Sequence, residues 1–276
     1  MSNAREYYDR TSEGYVSKWR EIDRKPENPA FYFRRRLIEG LLDLAAIREG
    51  ERVVEMGCGT GLVLKEALKR TRPVFGTDIS IEMLRRVQDS VLADRRVEIV
   101  SGFSGVPRGP AGIRGGADAY LMVDDIRNPS LPAGLFDVVL SLEVLRYVES
   151  LDSCLARVRS VLAPGSRFVF SATNLWSASL FPLRFSLRRR LGLVKPDREL
   201  LQYFVTEGSL RSRLRRAGFE VTGFRRARLA SINPLFSPLI RTSAAARRIE
   251  TAEDALSRVP IVRGLFDTFL VAARPC

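Results

Sequence analysis

The run "VVEMGCGTGLVLKEAL", Val53 to Leu68, constrains the fold of this chain more than any other stretch. A short β-branched run ends in three glycines, and apolar residues then recur at helical spacing. A strand that turns at once into a helix belongs to a layered sheet, and the glycines let its backbone approach a ligand closely. Gly57, Gly59 and Gly61 stand as G-x-G-x-G. A dinucleotide loop requires G-x-G-x-x-G, and Leu62 occupies the last of those positions. A phosphate loop requires lysine directly after its last glycine, and Gly61 is followed by Leu62. Both common readings therefore fail.

Glu55 lies two residues before the first glycine, at the end of the predicted strand. A carboxylate there repels pyrophosphate and suits a cationic amino group. Asp78 ends the next predicted strand, where a carboxylate can grip both hydroxyls of a ribose. The pair suggests a ligand in which an amino acid is joined to a nucleoside.

The rest of the chain supplies the layers. "PAFYFRRRLIEGLLDLAAI" sets Phe33, Leu37, Leu41, Leu44 and Ile47 at three- and four-residue steps, which predicts an amphipathic helix. "REYYDRTSEGYVSKW" mixes aromatics and charges at roughly helical spacing. Leu62 to Lys69 reads as a helix and "RPVFGTDIS" as a strand. Ser80 reads as the cap of a helix carrying Ile81, Leu84, Val87 and Val91. Further strands are predicted over 119–123, 136–140, 167–171, 219–224 and 268–272. In "LDSCLARVRSVLAPGSRF" a helix is predicted to stop at Pro164 and Gly165. In "TEGSLRSRLRRAGFEV" Thr206 caps a helix and Gly218 stops it. Such alternation points to a parallel sheet covered on both faces. The Gly- and Pro-rich stretch 101–118 reads as a long loop, and 175–196 as an insertion that interleaves apolar residues with arginine.

These residues resemble the class I S-adenosylmethionine-dependent methyltransferases, small-molecule type. "VVEMGCGTG" resembles that family's first motif, and "GTDIS" its ribose-binding strand end. "VDDIRNPSLPAGLFDVVLSLEVLRYV" and "VRSVLAPGSRFVFSATN" resemble the later motifs. The matches run from Val53 to Asn174 in order. The resemblance implies an α/β fold: a doubly wound, mostly parallel seven-stranded sheet with helical cover elements. Residues 1–48 would form the N-terminal helical cover. Residues 49–276 would form the Rossmann-like domain, with insertions at 101–118, 175–196 and 230–264.

The cofactor implied is S-adenosylmethionine. Glu55 and the backbone of Gly57, Cys58 and Gly59, with Gly61 completing the loop, would hold its methionine part, and Asp78 its ribose. Ile79 and Met83 would pack on the adenine. Asp125 would accept from the adenine amino group, with the Ile126 amide beside it. Ser141 to Glu143 would lie beneath the sulfonium, and Tyr7, Tyr8 and Tyr15 would cover the site. Relatives often carry Glu-His after "LEVL", where this chain has Arg146 and Tyr147, so a histidine base does not carry over. The chain has no histidine at all. Glu143 and Tyr147 become the candidate catalytic residues by position.

The acceptor is expected to be a small molecule, apolar or lipid-linked, methylated on oxygen. In 175–196, Trp176, Leu180, Leu183, Leu187, Leu191 and Val194 recur in steps of three or four. Arg184 and Arg188 to Arg190 fall beside them, and Pro182 is expected to break or kink the helix. Such a face can roof the active site or lie on an anionic bilayer, and the two roles coexist for a lipid-like substrate. The net charge of +13 attracts anions generally. The basic clusters are short and dispersed and no recognition motif appears, so nucleic acid is not the expected partner. An RNA-binding methyltransferase, or a natural-product or sugar N- or C-methyltransferase, is the alternative.

Cys58, Cys154 and Cys276 are too few and too scattered for a disulfide framework or a zinc site. No metal is expected. "MSNAREYYDR" lacks an apolar signal core and no apolar run reaches about 18 residues. The expected location is cytoplasmic, with peripheral contact to the inner membrane face through 175–196.

Overall fold

Side chains along the central strands alternate between two apolar clusters. In β6, Ala119–Val123, Tyr120 and Met122 enter one cluster while Ala119 and Leu121 enter the other. In β7, Phe136–Ser141, Phe136 and Val139 oppose Val138 and Leu140. A sheet buried on both faces needs apolar residues at every position of its inner strands, and β1, Val53–Met56, is buried throughout. The computed structural model describes residues 4–20, 22, 28–106, 108–109, 112–113, 116–193, 202–229 and 240–276.

The remaining main strands are β2 (Val74–Asp78), β3 (Val97–Val100), β8 (Leu162–Thr173), β9 (Phe219–Ala227) and β10 (Thr268–Pro275). They form one sheet in the order β3-β6-β2-β1-β7-β8-β10-β9. All pairings are parallel except those of β10, which runs antiparallel to β8 and β9. The seven strands read from the sequence are all present, and β3 extends the sheet by an eighth. Its half-buried edge position explains the omission: "VEIV" is a four-residue run interrupted by the exposed Glu98.

Helices α1 (Ala4–Arg20), α2 (Pro29–Ala45), α3 (Leu62–Ala67) and α4 (Ile81–Arg86) fall at the predicted places. Leu37, Leu41, Leu62 and Leu84 put α2, α3 and α4 on one face of the sheet. Val87 to Val91 continue α4 as a wider π turn. On the other face, α5 (Leu151–Val161) and α7 (Glu207–Arg216) contribute Leu155, Val158, Leu210 and Leu214. The capping residues read from the sequence are in place. Ser80 accepts from Met83 N at 3.1 Å and Thr206 from Ser209 N at 3.1 Å. Gly218 follows α7 with a φ of 76°, the left-handed geometry that closes helices.

Two boundaries differ from expectation. The helix before Pro164 ends at Val161, and Leu162 already begins β8, which runs through Pro164 and Gly165. A residue preceding proline is pushed out of the helical region, so Ala163 cannot extend α5. Pro182 neither breaks nor kinks a helix, because α6, Phe181–Arg190, starts there and proline is tolerated in a first turn.

Stretch 101–118 is anchored at its start. Phe103 and Val106 are buried, with the Phe103 ring 5.6 Å from Phe75 and 5.9 Å from Phe136. The small antiparallel pair β4 (Arg108–Gly109) and β5 (Gly112–Ile113) follows. In the last insertion, 230–239 lie outside the described residues. Helix α8, Ser243–Leu256, packs on α2, where Glu250 pairs with Arg36 and Tyr32.

Candidate active site

The chain leaves β1 toward β2 on one side, and later returns to place β7 on the other. Loops leaving the carboxyl ends of β1 and β7 therefore diverge, and an open α/β sheet binds ligands in that crevice. Here the crevice is a cavity of about 510 Å³, within the range typical of ligand sites.

The glycine loop forms its floor. Gly57 has a φ of 76°, and a Cβ there would sit 2.4 Å from Val144 Cγ2, so no larger residue fits. The Gly57 and Cys58 amides both donate to Thr77 O, at 2.7 and 2.8 Å. The Gly59 amide donates to Asp78 Oδ2 at 2.8 Å. Those N–H groups are spent on holding the loop against β2. Cys58 is buried in the wall with a free thiol, and burial, then Asp78 and Glu55, push that thiol well up. It is no nucleophile.

Glu55 is only 2% exposed, yet it lines the cavity and its Oε2 has no hydrogen-bond partner. Burial raises its carboxyl well above the ordinary range; Arg34 opposes this and Asp78 adds to it. A buried carboxylate oxygen without a donor fits a cationic ligand group. Asp78 accepts from the Ser80 and Gly59 amides at 3.0 and 2.8 Å. Burial still lifts its pKa above the usual value. Ile79 and Met83 continue the wall past Asp78, and Met83 is also part of the core.

Past β6, Asp124 and Asp125 both line the cavity, as does Ile126. Asp124 accepts from the Ser130 amide at 3.0 Å, and Asp125 forms a forked pair with Arg127. Burial raises Asp124. Asp125 is also penalised by burial, but Arg127 prevails and lowers it.

Past β7, Glu143 has a left-handed backbone with a φ of 60°, a strain of about 1 kcal/mol or more for a non-glycine residue. The Ser171 hydroxyl holds it by accepting its amide at 2.6 Å. Its carboxylate is shared between Arg34 and Arg228, the latter at 2.9 Å. Burial resists its ionisation, but Arg228, Arg34 and Arg146 outweigh burial and hold it far below the usual carboxylate range. Such a carboxylate is a poor general base, which argues against the catalytic part suggested by its position.

Tyr147 lines the cavity beside Tyr8, with ring centroids 6.1 Å apart. Tyr8 and Tyr15 of α1 also line it, which makes α1 a lid over the floor. Burial foremost pushes Tyr8 far up and Tyr15 to about 12, with Tyr147 adding to both, so neither ionises readily.

Three of the residues named from the sequence stand outside the cavity wall. Tyr7 meets Tyr8 edge to face, with ring centroids 5.2 Å apart, but is not in the cavity wall. Gly61 is absent from the wall as well; it opens α3 with a φ of 74°, and a Cβ there would meet Val87 at 2.5 Å. Ser141 is fully buried away from the cavity, because its hydroxyl donates to Met56 O at 3.0 Å and ties β7 to β1.

Two arginines of the wall are not site residues by the sequence reading. Arg34 sits on the polar side of α2, and its partner Glu143 is 109 residues away. In the sequence Arg146 marks only a departure from the Glu-His that relatives often carry. It faces the cavity with its guanidinium 5.0 Å over the Tyr147 ring and 5.9 Å over Phe181.

Phe181 belongs to α6. With Phe185 it packs on Phe204 at 5.8 and 6.2 Å, so this side of α6 faces the protein next to the cavity wall. The leucines do not roof the site. Leu183, Leu187 and Leu191 are 65%, 55% and 61% exposed, and Trp176 is 67% exposed. Val194 lies outside the described residues.

A family model described as a methyltransferase domain matches residues 30–223. The ubiquinone biosynthesis O-methyltransferase of Bordetella avium (strain 197N) is 22% identical over 201 residues, 72% of this chain and 75% of that protein. The ubiquinone/menaquinone biosynthesis C-methyltransferase of Methylococcus capsulatus (strain ATCC 33009 / NCIMB 11132 / Bath) is 29% identical over 202 residues, 65% of this chain and 71% of that one. Among solved structures, magnesium protoporphyrin IX methyltransferase from Synechocystis PCC 6803, with bound S-adenosylhomocysteine, superposes with a TM-score of 0.55. The identity there is 16%, over 99% of this chain and 98% of that one.

Proposed function

The chain belongs to the class I S-adenosylmethionine-dependent methyltransferases, and from that premise we propose that it methylates an oxygen of an apolar or lipid-linked small molecule. The observation that carries the cofactor site is the orphaned Glu55 oxygen in the cavity wall, beside Asp78. Glu55 takes the ammonium of the methionine part and Arg34, across the same cavity, its carboxylate. The carbonyl side of the Gly57–Gly59 loop borders that part. Asp78 accepts the ribose hydroxyls with the lone pairs left over from its two backbone donors. Ile79 and Met83 cover the adenine, and Asp125 with the Ile126 amide meets its edge.

When bound, S-adenosylmethionine supplies a methyl group that its sulfonium already makes electrophilic. The protein then has to align an acceptor and exclude water. Tyr8, Tyr15 and α1 close the site from above, and Tyr147 borders the acceptor. The O-methyltransferase named among the relatives supports oxygen as the target. The test is transfer of labelled methyl groups by the purified chain into a small-molecule extract, with the product identified by mass spectrometry. A product labelled on nitrogen or carbon would refute the oxygen assignment.

The apolar character of the acceptor is supported by the outer face of α6. Its exposed leucines run on into a second exposed segment, because Ala178 N donates to Leu265 O at 2.8 Å. There Val259 and Ile261 are also exposed, Ile261 at 86%. Arg184, Arg188, Arg189, Arg190, Arg258 and Arg263 are exposed in the same segments. No helix among the described residues is long and apolar enough to cross a membrane. A leucine surface with exposed arginines in the same segments instead suits peripheral contact with an anionic bilayer. Phe181 connects that surface to the cavity wall, so a lipid-like acceptor would have a short route from bilayer to active site.

A further inference from the structure

Arg146 is a half-buried cation with no described carboxylate in ion-pair contact: Glu143 acts on it through space but is bonded to Arg34 and Arg228. It leaves β7 on the short 3-10 turn Leu145–Tyr147 and enters the cavity wall. Its Nε is buried without a hydrogen-bond partner. No described carboxylate forms an ion pair with it, although the neighbouring Arg34 and Arg228 share Glu143, and Arg228 also reaches Asp267. The rings of Tyr147 and Phe181 hold the guanidinium in place, with their centroids 5.0 and 5.9 Å from it. Its backbone is pinned as well, since Tyr203 N donates to Arg146 O at 2.6 Å. A guanidinium withdrawn from water and fixed between aromatic rings forms its strongest bonds to a carboxylate or another oxyanion.

The cavity wall carries both signs, and within it Glu143 is bonded to Arg34 and Arg228 and Asp125 to Arg127. Glu55, Asp78 and Asp124 stand at or beside the ends of β1, β2 and β6, where a cationic cofactor belongs. Arg146 stands beyond β7, against α6. We propose that the methyl acceptor is an acid bound as its anion, with Arg146 as the counter-ion that positions the reacting oxygen. This rests on the cofactor-site reading above.

An acceptor in that form needs no general base. Glu143 is locked between two guanidiniums and Tyr8 resists ionisation, so the neighbours of Arg146 are poor proton acceptors. The oxyanion forms the new O–C bond with its own lone pair as the C–S bond breaks. The bonding pair remains on sulfur, which becomes a neutral thioether. No proton moves. The product, a methyl ester or ether, has lost the charge that Arg146 holds, which favours its release.

The experiment uses the full chain, Arg146→Gln and Arg146→Lys. Calorimetry with S-adenosylhomocysteine comes first, and both variants are expected to bind it within about twofold of the parent chain. A parent chain that binds none would refute the cofactor site itself, a failure distinct from that of the anion site. A small-molecule extract of the source organism is then split on an anion exchanger before labelled methyl transfer. Acceptor activity is expected in the retained fraction, and its product in the flow-through of a second column. Arg146→Gln should raise the acceptor KM by about 10- to 100-fold, the scale of one charge-assisted bond, with partial rescue by lysine. Acceptor activity confined to the unretained fraction overturns the proposal. So does an Arg146→Gln chain whose KM is unchanged, or one whose S-adenosylhomocysteine affinity falls with it.

Discussion

Replacing Glu55 with glutamine isolates the charge at the head of the glycine loop without changing its volume. In the free protein that charge is unfavourable: the carboxyl is 2% exposed, Oε2 has no donor, and burial lifts its pKa well above 4.5. An acid whose pKa rises on folding binds more protons folded than unfolded, so its effect on stability is negligible below the unfolded value. The penalty grows as pH rises from that value through the folded pKa. Glutamine removes the penalty, so the free variant should match or exceed the parent in Tm, and the difference should widen from pH 5 to pH 8. With the cofactor the sign reverses. An ammonium about 4 Å from the carboxylate gains roughly 4 kcal/mol at an effective dielectric of 20, before desolvation is subtracted. Charge-assisted hydrogen bonds retain about 1.5–3 kcal/mol net, so Glu55→Gln should weaken S-adenosylmethionine binding by about 10- to 150-fold. Calorimetry in buffers of different ionisation enthalpy should also show proton release on binding to the parent chain and less to the variant. A variant that binds within twofold of the parent, with the same proton release, would falsify the assignment of Glu55 to the ammonium.

Gly57→Ala should lose about 1–3 kcal/mol in urea unfolding and most of its cofactor affinity, because the new Cβ meets Val144 at 2.4 Å on a left-handed backbone; an unchanged midpoint would refute the close approach. Arg167→Ala should destabilise by about 1–3 kcal/mol while leaving cofactor affinity intact. Arg167 forks onto Glu51 at 2.9 and 2.7 Å and donates to the carbonyls of Ala45 and Ala46 at the end of α2. Burial opposes ionisation of Glu51 but Arg167 lowers its pKa overall. This contribution should therefore be complete above pH about 5 and fade as pH falls through the folded pKa of Glu51, measured by denaturation against pH. Leu183→Glu with Leu187→Glu should abolish sedimentation with vesicles containing phosphatidylglycerol and leave Tm within about a degree, since both side chains are more than half exposed; persistent sedimentation would refute the bilayer surface.

Signals that act within a few residues are legible in the amino-acid order itself. The failure of the glycine spacing to match two loops, the carboxylate ahead of it, the Ser80 and Thr206 caps and the Gly218 stop are all local, and each depends on backbone geometry that neighbouring residues set. The alternation of strands and helices fixed the layers for the same reason. What the sequence left open depends on which segments meet. Glu143 reads as a catalytic carboxylate until α2 and the end of β9 bring Arg34 and Arg228 onto its two oxygens. Ser141 reads as a floor residue until the register of β7 against β1 turns its hydroxyl to Met56. Arg146 marks only a missing Glu-His until packing sets it against Tyr147 and Phe181 with its Nε buried and unpaired. The leucines of α6 have the period of a core-facing helix, and only the placement of that helix turns them to solvent. Periodicity states which residues share a face, whereas desolvation and charge pairing are properties of the packed whole. The sequence alone determined the methyl donor and the architecture that binds it, because the glycine loop and the carboxylates at the strand ends are set by a few neighbouring residues. The electrostatics of the acceptor site rest on side chains from α2, β7, α6 and β9, and only the tertiary structure decided them.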